Sequence, residues 1–256
     1  MIIELIEKTL RAQLEYPKSK LENLIVLASF PKSGNTWLRF VTSNILSMRT
    51  DNEEINFHTI ENYAPEIRGN QKLIGIKTSE SVPTFLKTHF YYGKKFNKFK
   101  SIVLYRDPSK TLSSYFSYMN NEHEKNIESL YQFINKPRYG IDAWNLFHKS
   151  WLNSSAYFFK YEDVIKKPEL YIKKIYSLHG AEIEDFEIKQ ALYRSSREEM
   201  RKLEISVGDP NKKNKRFEFV GDPLRNSEIL TNEITKKIKE RTDDTIKELD
   251  KRRITL

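Results

Sequence analysis

The sequence predicts an α/β protein: a single domain with a central parallel β-sheet flanked by helices and a P-loop-like strand–loop–helix phosphate site. Three observations carry the prediction. Apolar runs of strand length recur at Leu24–Ala28, Ser101–Tyr105 and Ala156–Lys160. Stretches of helical spacing separate them, and runs buried on both faces with helical crossovers belong to parallel sheets. The 256 residues can bury a sizeable core, and neither an internal repeat nor a long linker divides them.

Taken in order, Ile2, Leu5, Ile6, Leu10 and Leu14 make a helical stripe. LIVLA (Leu24–Ala28) fits one buried strand, and the turn Ser29–Ser33 carries Pro31 and Lys32. After Gly34 the apolar spacing turns helical, to about Ser47. Arg49–Asn70 is polar and aperiodic, a loop with one helical turn. KLIGI (Lys72–Ile76) is a short strand. Val82–Tyr92 is apolar and aromatic but interrupted by Lys87, Thr88 and His89. SIVLY (Ser101–Tyr105) ends at Arg106-Asp107-Pro108, and a helix from Ser109 puts Leu112, Tyr115, Phe116 and Met119 on one face. Asn120–Tyr139 reads as a loop enclosing a short helix, and Ile141–Leu152 as a helix. AYFFK (Ala156–Lys160) precedes Tyr161-Glu162-Asp163, and Pro168 opens a helix to Leu178 that stops at Gly180. Ile188–Leu203 reads as one helix. Ser206–Gly221 is basic and Gly/Pro-punctuated, and a last helix over about Ser227–Lys251 turns Ile234, Ile238, Ile246 and Leu249 inward.

A net charge of +9 suits a polyanionic ligand: nucleic acid, acidic lipid or a phosphorylated small molecule. The absence of cysteine excludes disulfides, thiolate chemistry and Cys-based metal sites. Glu4 and Glu7 break the N-terminal apolar run, so no signal peptide is expected, and nothing approaches a membrane span. The expectation is a soluble, cytoplasmic protein; its oligomeric state is left open.

A basic turn between a strand and a helix start is a place to hold a phosphate. Unpaired N–H groups there point outward and the helix dipole favours an anion. Lys32 adds a charge, and Ser33 and Thr36 add hydroxyl donors. The turn after SIVLY supplies Arg106 and, eight residues on, Ser114. Both turns lie at the carboxyl ends of strands, where open α/β sheets bind ligands, so a ligand with two separated phosphates would use both. A nucleotide loop of the ATPase type needs G-x-x-x-x-G-K-[ST]; this turn has one glycine, Gly34, with its lysine two positions before it, the wrong order.

The same residues resemble the PAPS-dependent sulfotransferase family, specifically a cytosolic-type, bacterial-like member. PKSGNTWL (Pro31–Leu38) resembles its 5′-phosphosulfate loop and LKTHF (Leu86–Phe90) its catalytic segment. YRDPSKTLSSYFSY (Tyr105–Tyr118) resembles its 3′-phosphate segment, and YFFKYEDVIKKP (Tyr157–Pro168) is similar to its Y-E-D-x-x-x-x-P stretch. The four matches fall in order between Leu24 and Leu178. The resemblance implies a sulfuryl donor, PAPS, the product PAP and no metal. It implies that Lys32, Ser33, Gly34, Asn35 and Thr36 cradle the 5′-phosphate. Trp37 would lie near the adenine, Arg106 and Ser114 would hold the 3′-phosphate, and Tyr161 would reach the base. His89 would be the general base, Lys32 would neutralise the leaving group, and Lys87 would support the sulfuryl group.

The C-terminal third departs from the family pattern. Ser196 and Met200 are kept, Arg197 replaces an aromatic residue, and an arginine can still lie flat on an adenine. Arg216, Gly221 and Asp222 are kept, with Phe217 and Glu218 in place of Lys and Gly; Arg216 is still expected at the 3′-phosphate. The acceptor, a small molecule or glycan, is not named by the sequence. Phe90, Tyr91, Tyr92, Tyr118, Tyr139, Trp144 and Phe147 are acceptor-wall candidates and equally core candidates, with Phe90, Tyr118 and Trp144 foremost. The competing class is a non-catalytic relative that binds polyanions or nucleic acid through its basic surface; nucleic acid is not the expected partner.

Overall fold

The structure is a computed structural model that describes residues 14–15, 23–67, 71–72, 76–123, 126–208 and 229–256. Two-residue strands β1 (Leu14–Glu15) and β3 (Gln71–Lys72) pair in parallel. The main sheet has the order β4-β2-β5-β6, from β2 (Leu24–Ala28), β4 (Thr84–Thr88), β5 (Lys100–Tyr105) and β6 (Tyr157–Lys160), with every pair parallel. The helices are α1 (Asn35–Met48), α2 (Ile60–Tyr63), α3 (Pro108–His123), α4 (Leu130–Ile134) and α5 (Ile141–Leu152). They continue with α6 (Tyr161–Lys166), α7 (Pro168–Ser177), α8 (Asp185–Arg194), α9 (Arg197–Ser206) and α10 (Asn232–Arg252).

The alternation along β2 shows why its sequence is apolar throughout. Leu24, Val26 and Ala28 join a cluster with Leu112, Trp144, Phe147, Trp151, Ile238 and Leu249, under α3, α5 and α10. Ile25 and Leu27 join the opposite cluster with Leu38, Val41, Ile45, Ile172, Ile188 and Met200, under α1, α7, α8 and α9. A sheet covered on both faces has no polar side to show. At the outer edge, Arg253 bridges Phe158 and the Ile254 N–H donates to the Phe158 carbonyl at 2.8 Å, so the β6 edge is covered.

Some expected elements fall outside the described residues and others are corrected. The stripe over Ile2–Leu14 lies outside the described residues except Leu14, which is strand. Of KLIGI, Lys72 is in a strand, and residues 73–75 lie outside the described set. The segment Val82–Tyr92 supplies β4, a strand its pattern hides because Lys87 and Thr88 interrupt the apolar run at its carboxyl end. Helix α3 continues to His123, into the stretch expected to be loop. The expected helix over Ile188–Leu203 is two helices broken at Ser195–Ser196. Ser196 caps α9, its Oγ accepting from the Glu199 N–H, which serves a helix start better than a helix interior. The last helix starts at Asn232, with Thr231 capping it.

Candidate active site

The register aligns the carboxyl ends of the strands: Ala28 faces Thr88 on one side and Val103 on the other. The segments after β2, β4, β5 and β6 therefore leave the sheet at one edge, where Lys32, His89, Arg106 and Tyr161 all stand.

The loop after β2 takes two left-handed residues, Lys32 at φ 66° and Gly34 at φ 94°. Only Gly34 must be glycine on both counts. A Cβ there would lie 2.2 Å from Tyr161 Cε2, so the ring packs directly on the loop backbone. Helix α1 then begins with no side-chain cap and no acidic residue in its first turn, leaving its N–H groups and positive dipole end uncompensated. Ser33 Oγ is buried there without a hydrogen-bond partner. Asn35 does not join the cradle as expected: its amide turns inward to donate to Ser29 Oγ at 3.0 Å, leaving its backbone as the contribution to the loop.

Arg106 donates from Nη1 to the Lys32 carbonyl at 3.2 Å and lies 5.2 Å over the Tyr161 ring, while its Nε is buried without a partner. Tyr161 meets Trp37 edge-on at 6.4 Å. Ser33, Gly34, Trp37, Arg106 and Tyr161 thus form one contiguous wall. Arg197, exposed at the start of α9, is near enough for its charge to act on Tyr161. Ser114 is half-buried on α3, Ser196 is engaged as a cap, and Arg216 lies outside the described residues.

Lys32 Nζ sits 4.8 Å over the Tyr118 ring. Burial, then the nearby charges of Lys87 and Arg106, push its pKa down to about 8, while Glu204 pulls the other way. Burial also lowers the pKa of Lys87, and Glu66 opposes that fall. His89 follows β4 directly, and its Nδ1 lies 2.7 Å from the Ser29 carbonyl. A carbonyl only accepts, so Nδ1 carries the hydrogen and Nε2 keeps its lone pair. Burial, then the Lys87 charge, lowers the His89 pKa to about 4, so the imidazole is neutral near pH 7. Ser29 is the hub that sequence reasoning missed. It receives His89 and the Asn35 amide, and its N–H donates to Thr88 O at 3.2 Å. A fully buried serine in a turn gives no signal that its carbonyl orients a histidine.

The acceptor-wall candidates divide. Trp144 is fully buried, its ring 4.0 Å from that of His148, and Phe147 and Tyr91 are buried too; these are core. The expectation for Trp144 is corrected, because α5 turns it under the sheet. Phe90, Tyr92, Tyr118 and Tyr139 keep partial exposure. The Phe90 carbonyl accepts from Trp151 Nε1 at 3.0 Å, and the Tyr92 N–H donates to Ser150 Oγ at 2.9 Å, so α5 pins the segment after His89.

Fold and site together define an α/β protein with a basic strand–helix loop, holding an unpartnered buried hydroxyl, beside an oriented, neutral histidine. The chain belongs to the sulfotransferase domain family, whose profile matches residues 22–252. It is 29% identical over 199 residues to Sulfotransferase 2A1 of Rattus norvegicus, covering 73% of this chain and 69% of the relative. It is 25% identical over 201 residues to WSCD family member GA21586 of Drosophila pseudoobscura pseudoobscura, spanning 60% of that relative's length. Mouse sulfotransferase SULT7A1 complexed with PAP matches with a TM-score of 0.59 and 21% identity, over 90% of this chain and 85% of that one. Retinol dehydratase in a complex with retinol and PAP matches with a TM-score of 0.64 and 15% identity, over 88% and 82%. These structural likenesses show the fold.

Proposed function

We propose that the protein, acting as one sulfotransferase domain, transfers a sulfuryl group from PAPS to a hydroxyl or amino group of a small-molecule or glycan acceptor. The observation that carries this reading is the oriented His89. Its Nδ1–H is spent on Ser29 and its Nε2 lone pair is kept, beside a loop whose buried donors lack partners. Those orphaned donors, Ser33 Oγ and Arg106 Nε, and the uncapped start of α1 fit an anion with two phosphates. Structural neighbours holding PAP support the choice of anion.

PAPS, when bound, supplies the sulfuryl group on a 5′-phosphate leaving group. Lys32, Ser33, Gly34, Asn35 through its backbone, and Thr36 hold the 5′-phosphate. Trp37, Tyr161 and Arg197 frame the base; Arg106 and Ser114, with Ser196 and Arg216 assigned by resemblance alone, take the 3′-phosphate end. His89 Nε2 takes the acceptor proton as the acceptor atom bonds to sulfur and the bond from sulfur to the phosphate oxygen breaks. Lys32 neutralises the charge that develops on that oxygen, and Lys87 steadies the sulfuryl oxygens. Phe90 and Tyr118 wall the acceptor. A cytoplasmic location is proposed with the function.

The test is a screen of candidate acceptors with sulfur-35-labelled PAPS. His89→Ala should bind PAP with wild-type affinity by isothermal titration yet transfer no label; normal turnover by that variant removes the base assignment. Steep salt dependence with no preference for PAP over AMP would instead show a polyanion or nucleic-acid binder.

A further inference from the structure

Arg39, Glu61, Glu66 and Lys87 make a chain of charges from the loop helix α1 to the end of β4, and the reaction above uses only Lys87. Arg39 is nearly buried, its side chain 6% exposed. It donates from Nε to the Ala64 carbonyl at 2.8 Å and from Nη2 to Glu61 Oε1 at 2.9 Å. The other oxygen, Glu61 Oε2, accepts from the Glu66 N–H at 2.9 Å. Glu66 then meets Lys87 in two ways. Its Oε2 lies 3.3 Å from Lys87 Nζ, with the side chains 20% and 13% exposed. Alongside, the Lys87 N–H donates to Pro65 O at 2.9 Å and the Ile67 N–H donates to Lys87 O at 2.8 Å, a parallel bridge on the β4 edge.

This ion pair is placed where an ordinary structural pair would gain little. Removing both charges from water costs much of what their attraction returns, so an apolar pair would serve the fold as well. What the pair does locally is electrostatic. The groups facing Lys87 are Glu66 and Glu61 from the segment beside β4, Arg39 from α1, Lys32 from the loop and His89 two residues on. Lys87 opposes charge on Lys32 and on His89, Glu66 favours charge on His89, and Arg39 opposes it more weakly than either acts.

We propose that Glu66 is a positioning residue: backed by Arg39 and Glu61, its carboxylate holds the Lys87 ammonium and offsets that charge at His89. This rests on the proposed roles of Lys87 and His89. Because Arg39 belongs to the helix that starts at the anion loop, the same chain ties the loop to the strand that carries the base.

The experiment compares Glu66→Gln, Lys87→Met and their combination in the full chain. In the ligand-free protein, the His89 imidazole is titrated by nuclear magnetic resonance. Glu66→Gln should move its midpoint to lower pH and Lys87→Met to higher pH; an unmoved midpoint in Glu66→Gln overturns the proposal. Where Glu66→Gln does not fold, Glu66→Asp keeps the charge and shortens the reach. Its His89 midpoint should stay near wild type while kcat falls, and an unchanged kcat overturns the proposal. In turnover, Glu66→Gln should lower kcat on the order of tenfold. That loss should shrink at least about threefold in the Lys87→Met background, as for residues in contact. Equal losses in both backgrounds refute action through Lys87. If the wild-type protein shows no sulfuryl transfer, the functional reading fails, while the titration, which needs no substrate, still decides the role of Glu66.

Discussion

Replacing Lys32 with methionine should abolish PAP binding and, at the same time, stabilise the protein. The magnitude follows from the ammonium's surroundings. Its pKa falls from 10.5 to about 8, chiefly through burial and then through Lys87 and Arg106. Each unit is ~1.4 kcal/mol of preference for the neutral form, so holding the charge at pH 7 costs up to ~3 kcal/mol. Against this stands the Tyr118 ring below Nζ, worth about 0.5–1 kcal/mol, and the part of the side chain that water still reaches. Methionine keeps the same strained φ and similar length, so the backbone cost cancels. The expected gain is ~2 kcal/mol at pH 7, or roughly 4–8 °C in Tm for a chain of this size. The pH dependence carries the sign. The unfolded lysine binds its proton more tightly than the folded one, so the penalty is full below pH 8 and fades as pH rises from about 8 toward 10.5. The advantage of Lys32→Met in urea unfolding should therefore be largest at pH 7 and nearly gone by about pH 10. A variant less stable than wild type at pH 7, or a difference that does not change with pH, refutes the picture of a charge held against its surroundings.

Three further outcomes follow from the same geometry. Gly34→Ala forces a Cβ into the Tyr161 ring at positive φ, so unfolding should cost about 2–4 kcal/mol less and PAP affinity should fall at least tenfold by calorimetry. Arg49→Met strips the bidentate partner from the buried Glu187 carboxylate, held at 2.5 and 2.6 Å, and should cost about 2 kcal/mol in urea unfolding while leaving PAP affinity near wild type. PAP binding near pH 8.5 should take up roughly 0.7 proton, as an anion restores Lys32 from about 8 toward its ordinary value. Titrations in two buffers of different ionisation enthalpy measure that uptake, and none refutes the assignment of Lys32 to the anion.

Much of the fold was legible because parallel strands buried on both faces leave unbroken apolar runs: LIVLA, SIVLY and AYFFK stand within a residue of their observed places. The strand β4 was hidden because the charged Lys87 and the polar residues around it break the apolar run. The helix break at Ser195–Ser196 was hidden because the apolar spacing continues across it and only the cap chemistry of Ser196 marks a start. In the site, Lys32, Gly34 and Arg106 could be found from residue type and strand-end position. Ser29, Arg39 and Glu66 could not. Their roles come from a carbonyl, a buried guanidinium and a backbone bridge that tertiary structure alone brings together, Arg39 and Glu66 being joined through a segment with no periodicity at all.

The proposed base and the proposed anion loop stand side by side, and their charges act on one another. Lys32, Lys87 and Arg106 gather at one sheet edge, and each lysine titrates lower than it would alone. His89, lowered to about 4, is a weak base in the protein by itself, well below the pH at which a general base is most effective. On the proposed function, a bound polyanion would supply negative charge to all of them at once. It steadies the protonated lysines, and by offsetting Lys87 it raises the basicity of Nε2. On the proposed mechanism, His89 would therefore gain strength as a base when the donor is in place. Without an anion in the loop, burial and then the Lys87 charge leave Nε2 only weakly basic. The proposed arrangement requires the lysines to stay close to one another; Lys87 Nζ lies 3.3 Å from Glu66 Oε2 and Lys32 Nζ lies 4.8 Å over the Tyr118 ring.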